Sequence, residues 1–327
     1  MAYSSLEKAQ ITLYTILLIS GFITNTLIIT VIIVSKLFRD KNYIFLLSLA
    51  VIDWLIMVVQ VPELIANNIL DKPSAQGELC RVKGYFQTAF VICSIYHLPT
   101  IALHRYFCVV RRNFYNKCFS NKTCIIMCVL CWIISFLYVL PAYLGWGVIG
   151  YEASRKQCAV IWAESRSYTI FINTTCYPLP IGVMVFCYMK LILFHRHARD
   201  QLRKQSACDQ PTSLKITNRE RKLTSMLLIV VAGFFAAWFI YTLAMYFEAF
   251  TDIRFPNGVN FAANFMGYTN SAVNFWVYAM MSSTFRRGLK KICSRERRHR
   301  ISDITTSTNI SVIRGIVLVH NGLNEEM

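Results

Sequence analysis

Long blocks of apolar residues constrain the fold of this chain more than any other feature. Several reach the roughly 20 residues that cross a hydrocarbon core about 30 Å thick. Lipid offers no partner for backbone N–H and C=O groups, so such blocks must be helical. We therefore predict an all-α membrane protein, a bundle of seven transmembrane helices. The predicted spans are residues 10–35, 43–68, 77–111, 122–146, 167–196, 219–249 and 258–281.

The composition agrees with a membrane protein, because only 16% of the residues are charged where a soluble domain has about a quarter. The first block is too long for the apolar region of a secretory signal and has no basic segment before it. It also lacks a small-residue cleavage pattern. We predict that it is a true first span, preceded by an N-terminal segment of about nine residues.

The net charge of +17 falls almost entirely on one set of loops. These loops hold 26 of the 34 Lys and Arg residues but only 8 of the 17 Asp and Glu residues, and they cover 36–42, 105–122, 190–222 and 286–327. Cytosolic loops carry such an excess of basic residues, so the N-terminus is predicted to lie outside. The anionic inner leaflet attracts these side chains. We expect membrane lipid, and no nucleic acid, as their partner.

The cysteines support the same orientation. Of the twelve, only Cys80 and Cys158 fall on the predicted outer side, where disulfides form. With one candidate in each outer segment, a Cys80–Cys158 disulfide is predicted, which would tie the second outer loop across the mouth of the bundle. The alternative is two free thiols.

Short motifs recur in a fixed order through the seven spans. They are Gly21 and Asn25, the SLAVID run ending at Asp53, Cys80 and the HRY triplet at 104–106, Trp132 and Pro141, Pro180 and Tyr188, Phe234 and Trp238, NFWVY at 274–278, and Phe285. In this order and spacing the chain resembles the rhodopsin-like G-protein-coupled receptors over residues 10–294.

The chain departs from that family at three of these motifs. His104 stands where an acid usually precedes Arg105, and Ile240 and Phe275 stand where the sixth and seventh spans usually carry proline. Proline kinks a helix by removing a backbone hydrogen bond, so these two kinks lose their usual cause. Pro99 predicts a bend in the third span instead.

The resemblance implies a cytosolic switch at Arg105. At rest Arg105 would pair with Glu220, and outward movement of the sixth helix would free it for a heterotrimeric G protein. Because His104 is mostly neutral near pH 7, Arg105 should be held loosely and basal signalling raised. The alternative is an Arg105 that reaches lipid headgroups. The other implied switch residues are Tyr106, Tyr188, Asn274 and Tyr278.

Two further groups follow from the resemblance. Ile95, Pro180, Phe234 and Trp238 would form a packing relay beneath the ligand, or else plain core. A pocket of oxygen ligands would suit a sodium ion, or else hold a protonated carboxyl without an ion. Its residues would be Asp53, Ser94, Asn270, Ser271 and Asn274. No other cofactor is expected.

The ligand side of the predicted bundle is neutral. Gln87 stands where amine receptors of this family carry Asp, and Tyr268 stands where opsins carry the Schiff-base lysine. This set suits a neutral indole-like or lipid-like extracellular ligand better than a large charged peptide, although the same side chains could join helices instead. The predicted contacts are Gln87, Tyr241, Thr242, Tyr246, Asn264 and Tyr268, with Glu63 and Glu248 nearer the mouth.

The cytosolic end of the chain follows the seventh span. Phe285, Leu289 and Ile292 lie on one face of an amphipathic helix predicted at 283–294. Cys293 is a palmitoylation candidate or a free thiol. We predict a disordered tail at 295–327, whose Ser and Thr residues at 302–311 suit a receptor kinase and arrestin.

We therefore predict a G-protein-coupled receptor of the plasma membrane. The missing prolines leave a non-signalling scaffold or dimer partner as the alternative. A transporter is less favoured, because the sequence has no internal repeats. A membrane enzyme is not expected, since the six His residues are scattered rather than clustered for a metal.

Overall fold

The computed structural model describes most of the bundle. It covers residues 4–204, 225, 228–229, 232–233, 235–236, 238–239, 241–251, 255–292 and 294. Five helices in these parts are long and apolar enough to cross a membrane: Ser5–Val34, Lys41–Leu70, Gly77–Val110, Asn121–Tyr143 and Arg166–Gln201. The predicted sixth span is helical at its described residues, and helix Asn257–Met281 is the seventh. The chain is an all-α seven-helix bundle.

The first helix begins at Ser5, five residues before the predicted span. Ser4 and Glu7 explain this start, because the Ser4 hydroxyl accepts from the Glu7 N–H at 3.2 Å and the Glu7 carboxylate accepts from the Ser4 N–H at 3.0 Å. This capping box satisfies two backbone donors that a helix end leaves free. Most of the predicted nine-residue N-terminal segment is therefore helix.

The second span contains a π-turn that the sequence pattern did not predict. Its helices Lys41–Leu55 and Val61–Leu70 are joined by the wider turn Ile56–Gln60. Pro62 follows this turn and has no N–H to continue a regular α-helical ladder. Gln60, the last residue of the turn, and Glu63, which follows it, both contact Gln87 on the third span.

A β-hairpin covers the outer end of the bundle. Strand β1 (Ile149–Glu152) pairs antiparallel with β2 (Gln157–Val160), and every residue of β2 is buried. The predicted Cys80–Cys158 disulfide is confirmed and ties β2 to the third span, with a Cα–Cα distance of 5.3 Å. Gly84 permits the close approach, because a Cβ there would lie 3.0 Å from the backbone nitrogen of Ala159.

The seventh helix continues through Phe275 without a break, as expected without a proline there. The Phe275 ring packs edge-on against Phe285, with centroids 5.9 Å apart. Phe285 belongs to the helix at 283–292 and is fully buried. The third helix likewise continues through Pro99. Cys293 and the tail at 295–327 lie outside the described residues.

Candidate functional site

A cavity lies beneath the hairpin, between the helices. Four of the predicted contacts line it: Gln87, Tyr241, Asn264 and Tyr268. Thr242 and Tyr246 do not. The Thr242 hydroxyl instead donates to the Trp238 carbonyl at 2.9 Å, and the Tyr246 ring stacks on Phe250 with centroids 5.9 Å apart. The chain thus brings four of the six residues together.

Several lining residues were missed from the sequence. Gln60, Gln157 and Trp162 contribute polar groups to the cavity wall. Gln60 carried a usable signal, since it is a polar residue in an apolar span, two positions before Pro62. Gln157 and Trp162 lie in and after β2, and nothing in their local sequence indicated that the loop folds into the bundle.

Glu63 holds Gln87 in place from behind the cavity wall. The Gln87 side-chain N–H donates to the Glu63 carboxylate. The other carboxylate oxygen accepts from the backbone N–H of Cys158 at 3.2 Å. The Lys83 ammonium lies 4.0 Å from the oxygen that Gln87 contacts. Glu63 is only 4% exposed. This carboxylate therefore links the second span, the third span and the disulfide-tied strand.

The opposite wall is joined to the hairpin by two aromatic hydrogen bonds. The Trp162 indole N–H donates to the Tyr241 hydroxyl at 3.3 Å. The Tyr268 hydroxyl donates to Gln157 Oε1 at 2.9 Å. The hairpin and the segment after it are thus part of the cavity rather than a separate lid.

A buried ion pair closes the mouth on the side of the sixth span. Arg155 lies 2.5 Å from Glu248, and Asn260 donates to the same carboxylate at 3.3 Å. Burial opposes the charge of Arg155, but Tyr241 and Glu248 together raise the pKa of its guanidinium above its ordinary value. The charged hairpin residue is therefore bound to the outer end of the sixth span.

The floor of the cavity contains part of the predicted relay. Ile95 and Trp238 are buried and line it. The Trp238 ring packs edge-on against Tyr241 and Tyr268, with centroids 5.2 and 6.5 Å away. Pro180 is buried on the fifth span. Phe234 lies outside the described residues.

Asp53 lies fully buried below this floor. Its Oδ2 accepts from the Asn274 side-chain N–H at 2.7 Å, and the Ser271 side chain is its other polar neighbour. Within the described residues, the second carboxylate oxygen and Asn274 Oδ1 have no hydrogen-bond partner. Ser94 and Asn270 are also buried but form no hydrogen bond with Asp53 there. Unsatisfied oxygens of this kind fit a hard cation, so these residues suit a sodium ion.

At the cytosolic end, Arg105 is partly buried and forms no ion pair with any residue that the structure describes. Tyr188 lies near its charge, is 3% exposed, and its hydroxyl has no partner among the described residues. Tyr106 accepts a long hydrogen bond from Arg111, at 3.5 Å. Glu220 and the side chain of Tyr278 lie outside the described residues.

His104 packs among aromatic side chains and forms no bond with this arginine in the described residues. Its Nε2 lies 3.1 Å from the Tyr115 hydroxyl, and its ring packs among Phe45, Tyr115 and Phe119. Tyr115 belongs to the short cytosolic helix Arg112–Cys118. The family usually has an acid beside the arginine at this position. Here His104 precedes Arg105 and packs against the second cytosolic loop.

The comparison with known families decides the classification. The family model for the seven-transmembrane receptors of the rhodopsin family matches residues 24–278. The chain belongs to this family. Its members are multi-pass membrane receptors rather than enzymes.

Individual relatives of this rhodopsin-family receptor are distant. It is 27% identical to the mouse (Mus musculus) melatonin receptor type 1A over 271 residues, which cover 82% of this chain and 75% of the relative. It is 26% identical to pinopsin of Columba livia over 282 residues, which cover 85% of this chain and 78% of the relative. A crystal structure of squid rhodopsin superposes with a TM-score of 0.80 at 18% identity, covering 89% of this chain and 86% of that one.

The opsin relatives differ from this receptor at a decisive position. The seventh span contains no lysine, and the resemblance implies that Tyr268 stands where opsins carry their Schiff-base lysine. The Tyr268 hydroxyl is bonded to Gln157 and lines the cavity. A covalent retinal linkage at this position is therefore excluded.

Proposed function

We propose that this receptor binds a neutral extracellular ligand in the cavity and activates a heterotrimeric G protein through outward movement of its sixth helix. The third helix carries the argument, because Gln87 lines the cavity and Arg105 lies 18 residues further along the same helix. At 1.5 Å per residue this is roughly 27 Å. One rigid element thus joins the ligand side to the cytosolic side.

The composition of the wall supports a neutral ligand. No ionised side chain is among the cavity-lining residues in the described part of the chain. Burying an unpaired charge against such a wall would be unfavourable. Melatonin, which the name of the mouse relative mentions, is one neutral molecule of suitable size and belongs in a test panel.

Further partners are part of the same proposal. The receptor would lie in the plasma membrane with its N-terminus outside and its basic loops against cytosolic lipid. Sodium would bind at Asp53 in the resting state. A receptor kinase and arrestin would act on the Ser and Thr residues of the tail at 302–311.

Nucleotide exchange on purified G proteins tests this function. The full-length receptor would be reconstituted in lipid nanodiscs and assayed with representatives of each G-protein class, with and without a panel of neutral ligands. Arg105→Ala should abolish the exchange, whereas Arg39→Ala in the first cytosolic loop should retain it. A wild-type receptor that is folded but promotes no exchange would instead favour the non-signalling scaffold.

A further inference from the structure

Two amide side chains on one wall of the cavity have fixed orientations. The Gln60 side-chain N–H donates to the backbone carbonyl of Gln87 at 2.8 Å, and the Gln87 side-chain N–H donates to the Glu63 carboxylate. Both Gln60 and Gln87 line the cavity. A carbonyl and a carboxylate can only accept hydrogen bonds. Neither amide can therefore be rotated by 180° without losing its bond.

This orientation fixes the positions of the two carbonyl oxygens, while each amide nitrogen keeps a second hydrogen. Gln60 Oε1 is buried and has no hydrogen-bond partner in the described residues. The Gln87 side chain binds Glu63 through its N–H, so its Oε1 can accept a hydrogen bond from a ligand. A buried acceptor without a partner carries a desolvation penalty. A ligand that donates a hydrogen bond to it removes this penalty and binds more tightly. A ligand without a donor does not.

The opposite wall has the reverse polarity. The Trp162 indole nitrogen can only donate, and it donates to the Tyr241 oxygen at 3.3 Å. The hydroxyl hydrogen of Tyr241 is then available for donation toward the cavity that Tyr241 lines. Apolar side chains line much of the rest of the cavity, among them Ile92, Ile95 and Trp238.

Resting on the function proposed above, we propose that the cavity selects compact neutral ligands of a defined polarity. The ligand donates an N–H or O–H to the wall formed by Gln60 and Gln87, and accepts a hydrogen bond from Tyr241 at its other end. Glu63 is the positioning residue, since its carboxylate fixes the Gln87 amide without lining the cavity itself.

Three matched probes test the polarity. 3-Acetylindole has a ring N–H at one end and a carbonyl at the other, whereas 3-acetyl-1-methylindole and 3-acetylbenzofuran lack the ring donor. Dissociation constants would be measured by calorimetry on the full-length receptor in nanodiscs. We expect 3-acetylindole to bind about tenfold more tightly than 3-acetylbenzofuran, as one lost hydrogen bond to a buried acceptor implies. Equal affinities, or no binding by any of the three, would overturn the proposal.

Two variants test the residues that set this polarity. Glu63→Gln lets the Gln87 amide rotate, so the tenfold preference should fall to about twofold or less. Gln60→Met removes the other acceptor and should reduce the preference severalfold without touching Glu63. Gln10→Met is the control, since Gln10 is also buried but lies outside this cavity, and it should keep the wild-type ratio. An unchanged ratio in both cavity variants would refute the assignment.

A charged probe separates this proposal from a role of Glu63 as a counter-ion. Indole-3-ethylamine carries an ammonium at neutral pH and should bind more weakly than 3-acetylindole. Tighter binding that is lost in Glu63→Gln would contradict the positioning role. Basal nucleotide exchange does not depend on these probes, so a failure of the polarity rule would leave it intact. If the proposed receptor function is wrong, the folded receptor would show no basal nucleotide exchange, with or without these probes.

Discussion

Nε2 of His104 lies 3.1 Å from the hydroxyl of Tyr115, and the two rings meet edge-on with centroids 5.4 Å apart. The side chain that precedes Arg105 is thus held by the second cytosolic loop. Arg105 itself has no acidic partner within the part of the chain that the structure describes. This end of the third helix is therefore packed by aromatic side chains at a place where the family usually has a carboxylate.

Introducing that carboxylate should quiet the receptor. In His104→Asp an acid would lie next to Arg105 and could pair with it, so basal nucleotide exchange should fall several-fold. Tyr115→Phe is the matched control, because it removes the hydrogen bond to His104 without adding a charge and should not lower basal exchange. A His104→Asp receptor that folds and signals like wild type would contradict a loosely held Arg105.

Breaking the buried ion pair at the mouth should destabilise the outer end. Among the described residues, Glu248→Gln leaves Arg155 with only Glu152 as an acidic partner, at 3.9 Å. Loss of one partner of a buried pair costs roughly 3 kcal/mol, so thermal unfolding should occur at a clearly lower temperature. Glu78→Gln, at the exposed pair with Arg81, should have little effect. Similar unfolding temperatures for the two variants would contradict the role assigned to Arg155.

A methyl group behind Trp238 should disturb the cavity floor. A Cβ added at Gly267 would lie 3.1 Å from the Trp238 indole, and overpacking of this kind costs about 1–3 kcal/mol. Gly267→Ala should therefore lower the unfolding temperature and weaken 3-acetylindole binding. Gly258→Ala, where a Cβ would meet nothing within 4 Å, is the control. Unchanged binding and stability at position 267 would show that the indole has room to move.

Sodium should stabilise the receptor through Asp53. Replacing choline chloride by sodium chloride at equal ionic strength should raise the unfolding temperature. A sodium concentration ten times the dissociation constant should add about 1.4 kcal/mol to the free energy of unfolding. Asp53→Asn should remove this difference, whereas Asp71→Asn, just beyond the outer end of the same span, should keep it. A sodium effect that survives Asp53→Asn would mean that the ion binds elsewhere.

The bundle could be predicted from the sequence because lipid imposes helices of a known length. Ser5–Val34 and Asn121–Tyr143 differ from their predicted spans by only a few residues at each end. The differences have local causes that hydropathy does not register. A Ser4–Glu7 capping box extends the first helix, and Pro62 accompanies the π-turn in the second.

The cavity was only partly predictable. Gln87, Asn264 and Tyr268 lie on continuous helices, so their depth follows from their position in the span. Gln157 and Trp162 lie on or beside a hairpin whose fold depends on the Cys80–Cys158 disulfide and on close contact at Gly84. From the sequence, Glu63 was expected nearer the mouth. Its contact with Gln87 follows the turn at Ile56–Gln60, which hydropathy does not register.

The distance between the second cytosolic loop and the cytosolic end of the sixth span tests the central claim most directly. Spin labels on Cys118 and on Ser225→Cys, both at exposed positions, would report it by pulsed electron resonance in a receptor without other accessible thiols. Addition of an activating ligand and G protein should populate a longer distance, and Arg105→Ala should weaken the response to G protein. An unchanged distribution while nucleotide exchange proceeds would contradict activation by outward movement of the sixth helix.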